Sequence, residues 1–193
     1  MTESPDLKWQ KLGSEAGADM PLFKLRIDTM QHPASHEEFK RMVLEAPDWV
    51  TVVAVTSNGE IVMVEQYRFG IGELTLEPVA GTVDPGEETL ATAKRELLEE
   101  TGYGGGEWRY LGAVQTNPAI FDNLCHHWLV EGVELVQAPT PDEGEALRVH
   151  LMSLDELRAA IADGRLRHSL GLSALSRVFP LWELPYTQPA DTA

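Results

Sequence analysis

The sequence predicts an α/β fold, a mixed sheet with helices packed against it and an antiparallel β extension ahead of it. Three observations carry this. Trp49 to Thr56 (WVTVVAVT) is a near-continuous apolar, β-branched run, the pattern of a central strand. Ser57-Asn58-Gly59 is a hairpin turn, and Glu60 to Gln66 returns as its partner strand. Asp84-Pro85-Gly86 then opens a stretch without Gly or Pro, from Glu87 to Thr101, which Gly102 closes; these are helix-boundary signals.

Taken in order, Phe23 to Asp28 alternates apolar and polar residues, as a half-buried strand does, and with Leu7 to Leu12 it would form an N-terminal hairpin. His32 and His36 lie in a polar, Pro-containing loop and read as solvated rather than as a metal pair. Glu37 to Leu44 fits either a helical turn or a short strand. Leu74 to Val79 is a strand leading into the loop before the helix, and Gly104-Gly105-Gly106 is expected to be a flexible connection after it. Trp108 to Thr116 and His126 to Val136 read as strands around the turn-rich Asn117–Asn123 loop. A strand points His126 and His127 to opposite faces, so Cys125-His126-His127 does not make a shared ion site. The Pro-rich, acidic loop Ala138–Glu145 precedes a short strand, Leu147 to Met152. Ser153 with Glu156 is a capping pair for a helix running to about Ala162 and ending at Gly164. Ser169 to Phe179 is a last helix, limited by Pro180. The segment after Pro185 is expected to be mobile. No internal repeat or domain linker is visible.

The helix before Gly102 has an unusual composition. At 100° per residue Glu96, Glu99 and Glu100 share one face, while Leu90, Ala93, Leu97 and Thr101 form a stripe that can face a core. Like charges at these spacings cost a few tenths of a kcal/mol each, and Arg95, four residues before Glu99, offsets only part of that. A hard divalent cation would turn the repulsion into a binding site; the alternative is a solvated acidic face.

Composition narrows the partners. Fifteen Lys and Arg against 31 Asp and Glu give a net charge of −16. This argues against a nucleic-acid backbone or an anionic membrane, which would be repelled, yet leaves room for small phosphorylated substrates, because bound cations change the local sign. Cys125 is the single cysteine, so no intrachain disulfide can form. MTESPDLKWQ has neither the basic start nor the apolar run of a signal peptide, and no stretch approaches the ~20 apolar residues of a membrane span. The expectation is a cytoplasmic protein.

The spacing around the helix is more specific still. Gly81 is followed by Glu87, then by Arg95-Glu96-Leu97, Glu99-Glu100, Gly102 and the apolar Tyr103. Position for position this matches G-x5-E-x7-R-E-U-x-E-E-x-G-U, with U apolar, and the chain therefore resembles the Nudix hydrolases over about residues 50–180. Features outside the box resemble the ADP-ribose pyrophosphatase branch: Gln66-Tyr67-Arg68 at the end of a strand, Glu77-Pro78-Val79-Ala80-Gly81 leading into the box, Pro118 after it, and the acidic Glu143-Gly144-Glu145 loop before a strand. The lead-in departs from the branch's E-x-P-A-G, since Pro78 directly follows Glu77 and Val79 takes the usual proline place.

The resemblance implies the Nudix α/β/α sandwich and hydrolysis of a nucleoside diphosphate sugar such as ADP-ribose, with two or more Mg²⁺ or Mn²⁺ ions. By that resemblance Glu96, Glu100 and the Ala80 carbonyl are metal ligands with Glu99 close by. Glu143 is the general base and Glu145 a further ligand, roles that are open to exchange. Arg68, Glu77 and Pro118 are substrate contacts, with a structural salt bridge as the alternative for Arg68. Gly81, Glu87, Arg95 and Gly102 shape the motif. Residues 1–47 look like the extra strands of dimeric relatives, which implies a homodimer, residues 48–185 would be the Nudix domain, and 186–193 a tail. The competing readings are the same chemistry on another nucleotide (GDP-mannose, NADH or a dinucleoside polyphosphate) and a non-catalytic Nudix-fold regulator. The second is disfavoured because every box glutamate is present.

Overall fold

The computed structural model describes residues 7–142 and 144–182; Glu143 and the tail 186–193 lie outside the described residues. Two compact units emerge, Met1–Asp48 with Val114–Leu124, and Trp49–Ala113 with Cys125–Ala193.

The first unit is built on an antiparallel sheet of β1 (Gln10–Asp19), β2 (Lys24–Gln31) and β3 (Glu38–Glu45), in that order. The N-terminal hairpin forms, but its first strand lies later in the chain than Leu7–Leu12 and is longer, and the ambiguous Glu37–Leu44 segment is a strand. Asp28 is the sheet's buried charge, taking hydrogen bonds from Ser14 Oγ at 2.6 Å and Arg26 Nε at 3.0 Å, with Lys11 Nζ at 3.0 Å. Burial alone would push this carboxyl up; those three partners outweigh it and hold it at about 2. His32 accepts backbone N–H groups of Ala34 and Ser35 on Nδ1 and packs edge-on against Trp9, so its role in the loop is structural. β1 is exposed along its whole length.

The second unit holds a mixed sheet in the order β10-β5-β4-β9-β8: β10 (Leu147–Met152), β5 (Ile61–Arg68), β4 (Trp49–Thr56), β9 (Leu124–Leu135) and β8 (Tyr103–Gln115). β4 runs parallel to β9 and antiparallel to β5. β6 (Glu73–Glu77) pairs with β5, and β7 (Val79–Thr82) with β4. Side chains alternate across β4, so Val50, Val52 and Ala54 pack with Ala93 and Leu97 of α1 (Thr89–Thr101), while Val53 packs with Leu157 of α2 (Leu154–Ala162) and Leu175 of α3 (Ser169–Ser176). Helices thus cover both faces, the expected sandwich. β9 separates its histidines as the strand reading requires: His127 is fully buried, whereas His126 meets Tyr110 Oη at 2.9 Å. Among the described residues no helix is long and apolar enough to cross a membrane.

Four local expectations are corrected. The expected strand Leu74–Val79 is two strands broken at Pro78, because proline has no N–H to give a ladder. Gly104–Gly106 is not a flexible connection but lies within the first residues of β8 (Tyr103–Gln115); a Cβ at Gly106 would sit 2.6 Å from the Glu131 carbonyl oxygen, so Gly106 serves close strand approach. Finally α1 begins at Thr89, leaving Glu87 in the loop, and α3 stops at Ser176 rather than Phe179. The capping box at Ser153 forms as read, with the Glu156 N–H donating to Ser153 Oγ and the Ser153 N–H donating to Glu156 Oε2.

Candidate active site

α1 divides its three glutamates by depth. Glu100 is 2% exposed and buried in the unit. The side chain of Glu96 is 12% exposed and that of Glu99 is 39% exposed. Glu96 lies over the backbone of β7, where a Cβ on Gly81 would fall 2.1 Å from its carboxyl carbon. Gly81 is thus the space the carboxylate occupies. At the helix end Gly102 takes a left-handed φ of 74°, and a Cβ there would be 2.1 Å from the Gln137 carbonyl oxygen. Both motif glycines have steric reasons.

Arg95 is the hub that joins loop to helix. Its Nε and Nη2 donate to Glu87 at 3.3 and 3.1 Å, and its Nη1 donates to Glu96 at 2.8 Å and Glu99 at 3.2 Å. Thr92 Oγ1, not anticipated from sequence, adds a 2.8 Å bond to Glu87. The bonds from Arg95 and Thr92 hold the Glu87 carboxyl below its ordinary range.

The inner glutamates behave oppositely. Burial pushes Glu96 up to about 7 against the pull of Arg95, and pushes Glu100 up to about 9, with the charges of Glu96 and then Glu145 adding to it. Glu100 Oε2 is buried and has no hydrogen-bond partner among the described residues. Glu145 is exposed on its loop, where its Oε2 accepts the Asp142 N–H at 3.3 Å.

Arg68 and Glu77 form a second hub. Glu77 is fully buried and receives Arg68 edge-on, Nε to Oε1 at 2.8 Å and Nη2 to Oε2 at 2.6 Å, with Thr75 Oγ1 also donating. Burial would push Glu77 up, but Arg68 and Thr75 keep it below its ordinary range. The Arg68 pKa is raised, first by Glu77 and further by the charges of Glu100 and Glu145. The structure thereby gathers Arg68, Glu77, Glu96, Glu100 and Glu145 into one electrostatic neighbourhood, and realises the salt-bridge alternative for Arg68. Pro118 is exposed in the first unit. His168, which no motif marked, stands with its Nδ1 3.4 Å from Glu77 Oε2, and burial holds its pKa below the ordinary value.

Among the described residues no three His, Cys, Asp or Glu side chains are gathered so as to hold a metal ion as they stand. Arg95 accounts for part of this, since it draws Glu96 and Glu99 to itself. The donors nonetheless fit a hard dication: they are carboxyl oxygens, and Glu100 carries a buried one with no partner among the described residues.

A family model described as the NUDIX domain matches residues 47–170. The chain belongs to the Nudix family. Among curated relatives, the ADP-ribose pyrophosphatase of Mycobacterium tuberculosis is 30% identical over 172 residues, 88% of this chain and 83% of that protein. The ADP-ribose pyrophosphatase of Bacillus subtilis is 36% identical over 118 residues, 61% of this chain and 64% of that protein. The methanol dehydrogenase activator of Bacillus methanolicus is 34% identical over 147 residues, 76% and 79%. A crystal structure of an ADP compounds hydrolase shares the fold, with a TM-score of 0.79 at 22% identity over 92% of this chain and 95% of that one. As a Nudix pyrophosphatase, the chain is an enzyme of a family that generally uses divalent metal ions.

Proposed function

We propose that this Nudix enzyme hydrolyses the diphosphate bond of ADP-ribose or a related nucleoside diphosphate sugar, giving a nucleoside monophosphate and a sugar phosphate. The observation that carries the reading is the pair Glu96 and Glu100, neighbouring buried carboxyls that resist ionisation, with an unpartnered oxygen on Glu100. Such a pair is costly without a cation and useful with one. The names of the Mycobacterium and Bacillus subtilis relatives support the substrate class.

In this reading Glu96, Glu100 and the Ala80 carbonyl hold Mg²⁺ or Mn²⁺, two or more ions, with Glu99 and Glu145 completing the set. Bound there, the cations neutralise phosphate charge and make water acidic enough to be deprotonated by a carboxylate. Glu143 accepts that proton, with Glu145 as the exchangeable candidate. Arg95 and Glu87 keep the loop and the outer carboxylates in place. Arg68, one edge fixed by Glu77, presents its remaining nitrogen to a phosphate oxygen, and Pro118 contacts the substrate. The enzyme acts as a homodimer through the exposed β1 sheet of its first unit.

A hydrolysis panel over nucleotide sugars with Mg²⁺, coupled to phosphatase release of phosphate, tests this. Turnover of ADP-ribose or a close analogue is expected; no turnover of any member would sink it. Turnover confined to GDP-mannose, NADH or dinucleoside polyphosphates would move the substrate and keep the chemistry.

A further inference from the structure

α3 begins beside Glu77 and Pro78. His168 is the N-cap residue of α3, and its carbonyl accepts the Leu172 N–H at 2.9 Å. Gly171, in the first turn, has no room for a side chain: a Cβ would meet Pro78 Cδ at 2.8 Å and Cγ at 3.3 Å. Pro78 is the residue directly after Glu77, the position where this chain departs from the family's lead-in. With proline there and glycine opposite, the start of α3 seats on the backbone next to Glu77 and brings His168 Nδ1 to 3.4 Å from Oε2.

Glu77 therefore has partners on both sides. Arg68 and Thr75 approach from the sheet, and His168 from the helix. At that distance the ring and the carboxylate are in contact, and a neutral imidazole with its proton on Nδ1 would turn a donor toward Glu77. Arg68 spends Nε and Nη2 on Glu77, and Nη1 donates to nothing among the described residues. Its side chain is 41% exposed, so its aim depends on how firmly Glu77 is held.

We propose that His168 is a positioning residue: by holding Glu77 it fixes the direction in which Arg68 presents Nη1 to the substrate's diphosphate. The inference rests on the functional reading above for its substrate, but the Arg68–Glu77–His168 linkage can be read without one. Arg68 contacts the diphosphate but neither activates the water nor holds the metal, so misplacing it is expected to weaken binding more than it slows the chemical step.

The experiment uses the full chain with His168→Leu, which keeps bulk without a donor, and His168→Asn, whose amide nitrogen can take the place of Nδ1. His168→Ala replaces the leucine variant should that one not fold. The first readout is the Nε–H resonance of Arg68 in metal-free buffer, identified by its loss in Arg68→Lys. It is expected to be sharp in the wild type, broadened in His168→Leu and restored in His168→Asn. The second is steady-state hydrolysis of ADP-ribose, where His168→Leu is expected to raise KM about tenfold with kcat within about twofold, and His168→Asn to recover the wild-type KM. An unchanged Arg68 resonance in the leucine variant, an unchanged KM, or an asparagine variant as defective as leucine would each overturn the proposal. An inert wild type with the resonance pattern intact would instead overturn the functional reading alone.

Discussion

Glu96 lies where a side chain on Gly81 would be: a Cβ at position 81 falls 2.1 Å from the Glu96 carboxyl carbon. The motif glycine and the motif glutamate are one steric unit. What an alanine would strike is the end of a flexible side chain, not backbone, so Gly81→Ala should fold. It should displace Glu96, lower hydrolysis by about 10- to 100-fold, and raise the Mg²⁺ concentration needed for half-maximal rate. Circular dichroism and a Mg²⁺ titration of the rate check both halves.

Arg95 spans Glu87, Glu96 and Glu99, and Glu87 in turn accepts from Thr92. Glu87→Gln removes the charge that anchors this hub in the loop. The expected cost in stability is about 1 kcal/mol, because the pair is partly solvated. The expected loss in rate is larger than that implies, since Arg95 is then free to close on the glutamates of the helix. A denaturant melt beside a rate measurement separates the two.

Glu100 is a buried carboxyl pushed up to about 9, first by burial and then by Glu96 and Glu145. A raised folded-state value means that the stability held with the proton on is fully present below the unfolded value and is lost as pH rises toward about 9. Metal-free wild-type protein should therefore melt at lower temperature as pH is raised from 5 to about 9. Glu100→Gln should flatten that slope and, without metal, be more stable at pH 8 by roughly 1–3 kcal/mol. Added Mg²⁺ should stabilise the wild type and not the variant. Thermal melts with and without chelator provide the measurement.

Asp28 runs the other way. Its partners Ser14, Arg26 and Lys11 overcome burial and hold it at about 2. A depressed value gives stability that is present above the unfolded range and lost as pH falls toward about 2. Asp28→Asn should destabilise by about 2 kcal/mol at neutral pH, with the gap from wild type closing in acid. Parallel urea melts across that range would show the convergence, and a constant gap would count against it.

Much of this was legible in the sequence, and for physical reasons. Trp49–Thr56 and Leu147–Met152 are strands to the residue, because apolar β-branched runs bounded by turn residues have one good use. The Ser153 capping pair is local chemistry and forms as read. What escaped was set by distant packing. The glycines of Gly104–Gly106 look flexible in isolation, yet all three lie in β8, and the left-handed φ of 72° at Gly106 with the nearby Glu131 carbonyl explains that one. Helical spacing groups Glu96, Glu99 and Glu100, yet cannot say that Glu100 is buried and Glu99 partly solvated. His168 and Glu77 meet only because Gly171 packs on Pro78, a contact between segments far apart in the chain.

In the proposed function the buried carboxyls of α1 are the seat of a metal-dependent diphosphate hydrolysis. Its most direct test is the rate of ADP-ribose hydrolysis with Mg²⁺ by wild type and by Glu100→Gln, both shown to be folded. Measurable turnover by the wild type, abolished by chelator, is expected, with a loss of at least about 100-fold in the variant. A Glu100→Gln enzyme that keeps the full Mg²⁺-dependent rate would contradict it.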